Sequence, residues 1–213
     1  MDAEPAILRV DPENPGRDAI FAAARAVLRG GVVVFPTTGL YGLAADARGP
    51  GAVDRVFSLK QRPLHRPVLV LVNEREDVAP LVSEVPSAAT LLMNRLWPGG
   101  LTLVLPVHPE YAHLTAGTGK IGVRMAAHPV ARALVAAAGI PITGTSANIS
   151  GMPAVSRIQD LSPELAAGAE VLLDAGQLAG GKGSTVVDAT CDPVAVLREG
   201  AVTAQRIRDV LRG

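Results

Sequence analysis

Short apolar runs rich in β-branched residues alternate with helix-patterned segments from one end of this chain to the other, and that alternation most constrains its fold. Residues 18–28 carry apolar side chains at helical spacing and stop at Gly30-Gly31. Residues 51–60, Ser87–Leu96, Pro129–Ala138 and 203–211 also read as helices. Pro129 opens one of them at an allowed position and Gly139 closes it, and Thr203 caps the last. Residues 32–35, 68–72, 101–105, 120–125, 140–142, 171–173, 185–188 and 194–197 read as strands. The pattern predicts an α/β (α+β) fold: a twisted mixed parallel and antiparallel sheet with flanking helices, in one domain spanning 1–213. Neither a repeat nor a linker interrupts it, and the glycine-rich stretch 175–184 reads as a loop and a candidate lid.

Composition narrows the function. The core must be built from Val, Leu, Ile and Ala, because the chain has one Trp, two Tyr and three Phe. Twenty basic residues balance twenty acidic ones, so a nucleic-acid-coating surface is disfavoured and any anion site must be a local cluster. No apolar run reaches the roughly 20 residues that span a bilayer. The amino-terminal residues include Asp2 and Glu4 and lack the apolar stretch of a signal peptide. One cysteine, Cys191, excludes an internal disulfide framework and fits a reducing cytoplasm.

Two short segments stand out as anion chemistry. Lys60-Gln-Arg62-Pro63 offers two cations two residues apart, and Ser146-Ala-Asn148 a hydroxyl and an amide at the same spacing. In extended backbone such pairs share a face, and Pro63 disfavours helix at Arg62. Arg124 lies on the polar side of an alternating strand, where a lone arginine needs either an ion-pair partner or an anionic ligand. Lys120 precedes it and Arg198 ends another strand, positions where ligand sites form. The run 36–43 leaves a strand with two threonines, a tyrosine and two glycines, and reads as a strand-to-turn exit or a binding loop. Residues 176–183 nearly match a phosphate-binding loop, but Gly183 replaces the metal-binding hydroxyl and a strand rather than a helix follows. The four histidines lack metal-ligand spacing, so no protein-held metal is predicted.

Together these segments resemble the YrdC-like family, the threonylcarbamoyl-AMP synthases, over residues 17–212. The likeness rests on Phe35-Pro-Thr-Thr-Gly-Leu-Tyr-Gly-Leu-Ala-Ala-Asp46, Lys60-Gln-Arg-Pro63, Trp97-Pro-Gly-Gly-Leu-Thr-Leu-Val-Leu-Pro106, Gly122-Val-Arg-Met125 with His128-Pro129, Thr145-Ser-Ala-Asn-Ile-Ser-Gly151, Ser184-Thr-Val-Val-Asp188 and Leu197-Arg-Glu-Gly-Ala201, in the family's order. The resemblance implies a nucleotidyltransferase. L-Threonine's amine takes up bicarbonate or CO2, the carbamate attacks the α-phosphate of ATP, and pyrophosphate leaves. The product feeds the threonylcarbamoyladenosine modification of tRNA through a separate transfer complex. Mg2+ would accompany ATP through phosphate oxygens and water.

By the same resemblance Lys60, Arg62 and Ser146 act on the phosphates or the carbamate, and Asn148, Arg198, Arg66 and Lys120 lie on the nucleotide side. Thr37, Tyr41, Arg124, Gly144 and Ser184 lie on the amino-acid side, with Arg124 clamping the carboxylate as a bidentate fork. Removing Lys60 or Arg62 is then expected to abolish turnover with the fold intact. The chain departs from the family pattern at Gly39, which replaces a threonine, and at Leu71, where histidine is frequent. Thr38 supplies a neighbouring hydroxyl, but strand alternation would aim it at the opposite face. These departures leave room for an enzyme with another acceptor, such as carbamoyl phosphate or a different amino acid. A non-catalytic RNA-binding module is the other alternative.

Overall fold

The computed structural model describes residues 4–63 and 67–213. In chain order the elements are β1 (Ala6–Arg9), α1 (Arg17–Leu28), β2 (Val33–Pro36), β3 (Tyr41–Ala44), α2 (Pro50–Leu59), β4 (Leu69–Val72), α3 (Ser87–Leu96), β5 (Leu101–Pro106), β6 (Lys120–Met125), α4 (Pro129–Ala138), β7 (Ile142–Thr143), β8 (Thr145–Ser146), α5 (Pro163–Ala167), β9 (Val171–Asp174), β10 (Thr185–Asp188), β11 (Ala195–Arg198) and α6 (Ala204–Arg212). The predicted class holds, but the strands form two mixed sheets where one was expected. The first runs β1-β9-β2-β3-β8 and the second β11-β10-β5-β6-β4-β7.

Gly144 is where the chain passes from one sheet to the other. Before it, β7 pairs with β4, placing Ile142 opposite Leu71. After it, β8 pairs with β3, placing Ser146 opposite Gly42. A Cβ at Gly144 would lie 2.5 Å from Leu71 Cγ, so the crossing leaves no room for a side chain. The Thr143 hydroxyl accepts from Ala45 N at 3.0 Å, tying the junction together.

Strand alternation makes the second sheet two-faced. Leu101, Leu103, Leu105, Ile121, Val123 and Val187 are all fully buried, in a core with Leu92 of α3 and Ile207 of α6. Full burial of each such side chain contributes about 1.5–3 kcal/mol. The residues between them, Thr102, Val104, Lys120, Gly122, Arg124, Val186 and Asp188, face a cleft. The first sheet is covered on both sides. Packed with one set of its residues are Ala23 and Val27 of α1 and Leu134 of α4, and with the other Val56 of α2 and Leu165 of α5. Its edge strand β8 and the turn after β2 form the opposite wall of the cleft.

Candidate active site

The cleft holds two adjoining chambers. The larger, about 570 Å3, is lined by Arg62, Lys120, Arg124, Ser146, Asp188 and Arg198 among others. The smaller, about 470 Å3, is lined by Thr37, Thr38, Gly39, Lys182 and Gly200 among others. Thr37, Leu40, Arg124, Gly183 and Ser184 line both. Period-two alternation on β6 and β10 thus delivers Lys120, Arg124 and Asp188 to one surface, as the sequence predicted for Arg124. Among the described residues Asp188 is the only carboxylate lining either chamber, and it accepts from Lys120 Nζ at 2.8 Å. Burial alone would raise its carboxyl, but hydrogen bonds from Lys120 and Thr190 outweigh it and hold the group below the usual carboxylate range.

Arg124 has no ion-pair partner among the described residues. Its Nε donates to Gly99 O at 3.0 Å and its Nη2 to Thr38 Oγ1 at 3.3 Å. Burial lowers its pKa, which shows a guanidinium short of counter-charge. Of the two readings open for this arginine, the structural ion pair is therefore absent. The contact also corrects the expected direction of Thr38. Strand β2 ends at Pro36, and Thr37 closes a turn by donating its N and Oγ1 to Leu40 O at 2.9 and 2.6 Å. Alternation stops at that turn, and Thr38 swings toward Arg124.

The Lys60–Arg62 segment is not extended. Lys60 is the helical cap of α2, and Gln61 adopts a left-handed φ of 48°. Gln61 N donates to Ser58 O and Arg62 N to Phe57 O, the pair of bonds that closes a helix in the Schellman arrangement. This turn separates the two cations. Arg62 reaches the cleft, with Nη2 on Pro67 O at 2.8 Å and its guanidinium carbon 5.9 Å from the Phe57 ring centre. Lys60 turns inward, is 1% exposed and does not line the cleft. Its ammonium donates to Ser146 O, to Asn148 O at 2.8 Å and to Asn148 Oδ1 at 3.1 Å. Burial first, and then the Arg62 charge, lowers its pKa to about 8.

Asn148 is likewise a strut and lines neither chamber. Its Oδ1 accepts from Lys60 and from the Ser146 hydroxyl, while its Nδ2 donates to Ile149 O and Met152 O. Ser146 stands exposed at the cleft wall. Lys60, expected on the phosphates or the carbamate, and Asn148, expected on the nucleotide side, both support Ser146 from behind in this structure. Arg198 donates to Ser184 O at 2.8 Å and Ser184 pairs with Thr102 at 2.7 Å, both beside the cleft. Tyr41 OH donates to Gly176 O and accepts from Ala175 N, anchoring the glycine-rich loop. Burial first raises this phenol to about 12, so it stays a donor. Arg66 lies outside the described residues.

Both departures have structural explanations. Leu71 fills the space at Gly144 and lines the larger chamber. Gly39 receives the loop directly: Gly180 N donates to Gly39 O at 2.8 Å, and a Cβ at Gly39 would lie 2.0 Å from Gly180 O. Gly39→Thr is expected to displace this loop, read as increased proteolysis within 175–183; an unchanged cleavage pattern would contradict the contact. The loop runs into strand β10 with no helix, in line with the rejection of a phosphate-binding loop. The described histidines each meet backbone: His108 and His128 cap helices and His113 meets Ala47 O at 2.9 Å.

A sequence model of the Sua5, YciO and YrdC family, described as telomere recombination, matches residues 25–200. The chain belongs to this family. The threonylcarbamoyl-AMP synthase of Bacillus subtilis (strain 168), another YrdC-like protein, is 36% identical over 95% of this chain and 59% of its own length. The crystal structure of Pyrococcus abyssi Sua5 complexed with L-threonine superposes with a TM-score of 0.90 at 35% identity, covering 96% of this chain and 60% of that one. Escherichia coli YciO matches with a TM-score of 0.87 at 27% identity, over 95% of this chain and 99% of that one. The chain therefore spans about three fifths of the first two YrdC-like relatives and nearly all of the third. Thr38 and Lys182 are among the lining residues that sequence reasoning missed, as are Asp188 and Thr102. Only the end of β2 at a proline hinted at the first, and nothing local marked the second.

Proposed function

We propose that this chain is an L-threonylcarbamoyladenylate synthase, a nucleotidyltransferase joining L-threonine, bicarbonate or CO2, and ATP, with release of pyrophosphate. The observation that carries the reading is a two-chamber cleft with Arg62, Arg124, Arg198 and Lys120 on its lining against a single carboxylate, Asp188, among the described residues. Similarity to named threonylcarbamoyl-AMP synthases, and to a relative crystallised with L-threonine, supports it.

Adenylyl transfer needs aligned substrates and neutralised phosphate charge, with no covalent nucleophile on the protein. The larger chamber takes the nucleotide. Arg62 and Arg198 face the triphosphate, and the Ser146 hydroxyl, its proton given to Asn148 Oδ1, offers its oxygen as an acceptor beside the reacting centre. Arg124, on the shared wall, holds the amino-acid carboxylate. The carbamate oxygen then bonds to the α-phosphorus as the bond to the bridging oxygen of the β-phosphate breaks, and that electron pair leaves on pyrophosphate. Among the described residues no three His, Cys, Asp or Glu side chains gather as a metal cage. Mg2+ fits as part of the MgATP substrate. The product would pass to a separate complex acting on tRNA, in the cytoplasm, where its substrates are found. No helix among the described residues is long and apolar enough to cross a membrane.

The test is pyrophosphate release from ATP and bicarbonate with and without L-threonine. Threonine-dependent release is expected; release with carbamoyl phosphate or serine in its place would mean another acceptor, a reading that apolar Leu71 at the chamber wall favours. Arg62→Ala is expected to lower kcat about 100-fold or more, since it removes a charge-stabilising donor; wild-type kcat would remove Arg62 from the site.

A further inference from the structure

Three hydroxyls line the smaller chamber, and their protons are differently engaged. Thr37 gives its proton to Leu40 O at 2.6 Å. Ser184 shares a hydrogen bond with Thr102 at 2.7 Å. Thr38 Oγ1 accepts from Arg124 Nη2 at 3.3 Å, and among the described residues its own O–H meets no protein acceptor. A hydroxyl can accept and donate at once. Thr38 is therefore poised to accept from the guanidinium while donating to whatever the guanidinium binds.

The surroundings specify the charge of that ligand. Among the described residues Arg124 and Lys182 are the only charged ones lining the smaller chamber, and no acid lines it. Arg124 Nε is held by Gly99 O, which fixes the plane of the fork while leaving further N–H groups to donate. Thr38 is exposed, and its backbone places it. The Thr37–Leu40 turn sets its backbone, and the Gly39–Gly180 contact braces the next residue against the loop.

We infer that Thr38 is a specificity-determining, substrate-binding residue whose hydroxyl, together with the Arg124 fork, forms a paired-donor clamp for the carboxylate of the amino-acid acceptor. The inference rests on the function proposed above and adds a residue to it. The two donors approach from different elements, the β2–β3 turn and β6, so the clamp defines where the acceptor's carboxylate sits relative to the nucleotide chamber. It also explains how the chain does without a hydroxyl at position 39: the turn presents the preceding one instead.

The test compares Thr38→Val, which removes the hydroxyl and keeps the branched shape, with Thr38→Ser, which keeps the hydroxyl. Each is assayed for pyrophosphate release and, without ATP, for L-threonine binding by calorimetry. Thr38→Val is expected to raise KM and Kd for L-threonine about tenfold, as for loss of a hydrogen bond to a charged group. KM for ATP and the melting temperature should hold, and Thr38→Ser should bind like wild type. Wild-type threonine affinity in Thr38→Val, or a Thr38→Ser that fails like it, would overturn the clamp while leaving the reaction standing. No threonine-dependent release by wild type would overturn the reaction, and calorimetry would still decide the clamp. A wild type that binds no L-threonine would overturn both.

Discussion

Lys60→Met is expected to melt roughly 3–6 °C below wild type, because the native ammonium is a buried strut. It is 1% exposed and holds two backbone carbonyls, of Ser146 and Asn148, and the Asn148 side-chain oxygen. Methionine fills a similar volume and donates nothing. Asn148 Oδ1 keeps the Ser146 hydroxyl and Ser146 O keeps Asn148 N at 3.0 Å, but Asn148 O loses its donor. Leaving a buried acceptor unsatisfied costs about 1–3 kcal/mol. Removing the buried charge returns part of that, giving a net loss of about 1–2 kcal/mol. Thermal unfolding followed by circular dichroism checks this. A melting temperature equal to wild type would restore the expectation that Lys60 can be removed with the fold intact.

The pH dependence provides a second signature. The folded-state pKa of Lys60 is lowered from 10.5 to about 8, so between those values the unfolded chain binds its proton more tightly. Stability rises with pH wherever the unfolded state holds more protons. This group's contribution is therefore flat below about pH 8 and grows from there toward pH 10.5. The gap in melting temperature between wild type and Lys60→Met should widen across that window. A gap that narrows would mean the ammonium is stabilised by its three acceptors more than burial penalises it.

What the sequence disclosed followed the range of the forces involved. Helices α3 and α4 and strands β6 and β10 were legible to the residue, because local periodicity and terminal signals fix them. The placement of Arg124 on the polar side of β6 was legible for the same reason. The division into two sheets was not, since it depends on which strands β7 and β8 choose across Gly144, a pairing between distant segments. Strand β1 was missed because it is an exposed edge of four residues without alternation. Lys60 was misplaced because Gln61, a residue with no left-handed preference, takes the position at a helix end where glycine is usual. The contacts of Asn148 with Lys60 and Met152 were not legible, because an amide's direction is set by its partners, which sequence spacing does not reveal.

Arg124 should behave in the opposite way to Lys60. Its guanidinium is partly buried and lowered in pKa by that burial, and it meets a carbonyl and a hydroxyl but no carboxylate among the described residues. A cation held without a counter-charge costs stability until an anion arrives. Arg124→Leu is therefore expected to match or exceed the wild-type melting temperature while losing threonine-dependent pyrophosphate release. Arg124→Lys keeps the charge but cannot span Gly99 O, Thr38 and a carboxylate with one compact ammonium. Its KM for L-threonine should rise about 100-fold, the scale of about 2–5 kcal/mol for breaking a hydrogen-bonded charge pair, with KM for ATP little changed. A rise confined to ATP would move Arg124 to the nucleotide half of the cleft. A marked fall in stability of Arg124→Leu would mean that its bonds to Gly99 and Thr38 outweigh the cost of its uncompensated charge, and that the arginine is kept for the fold.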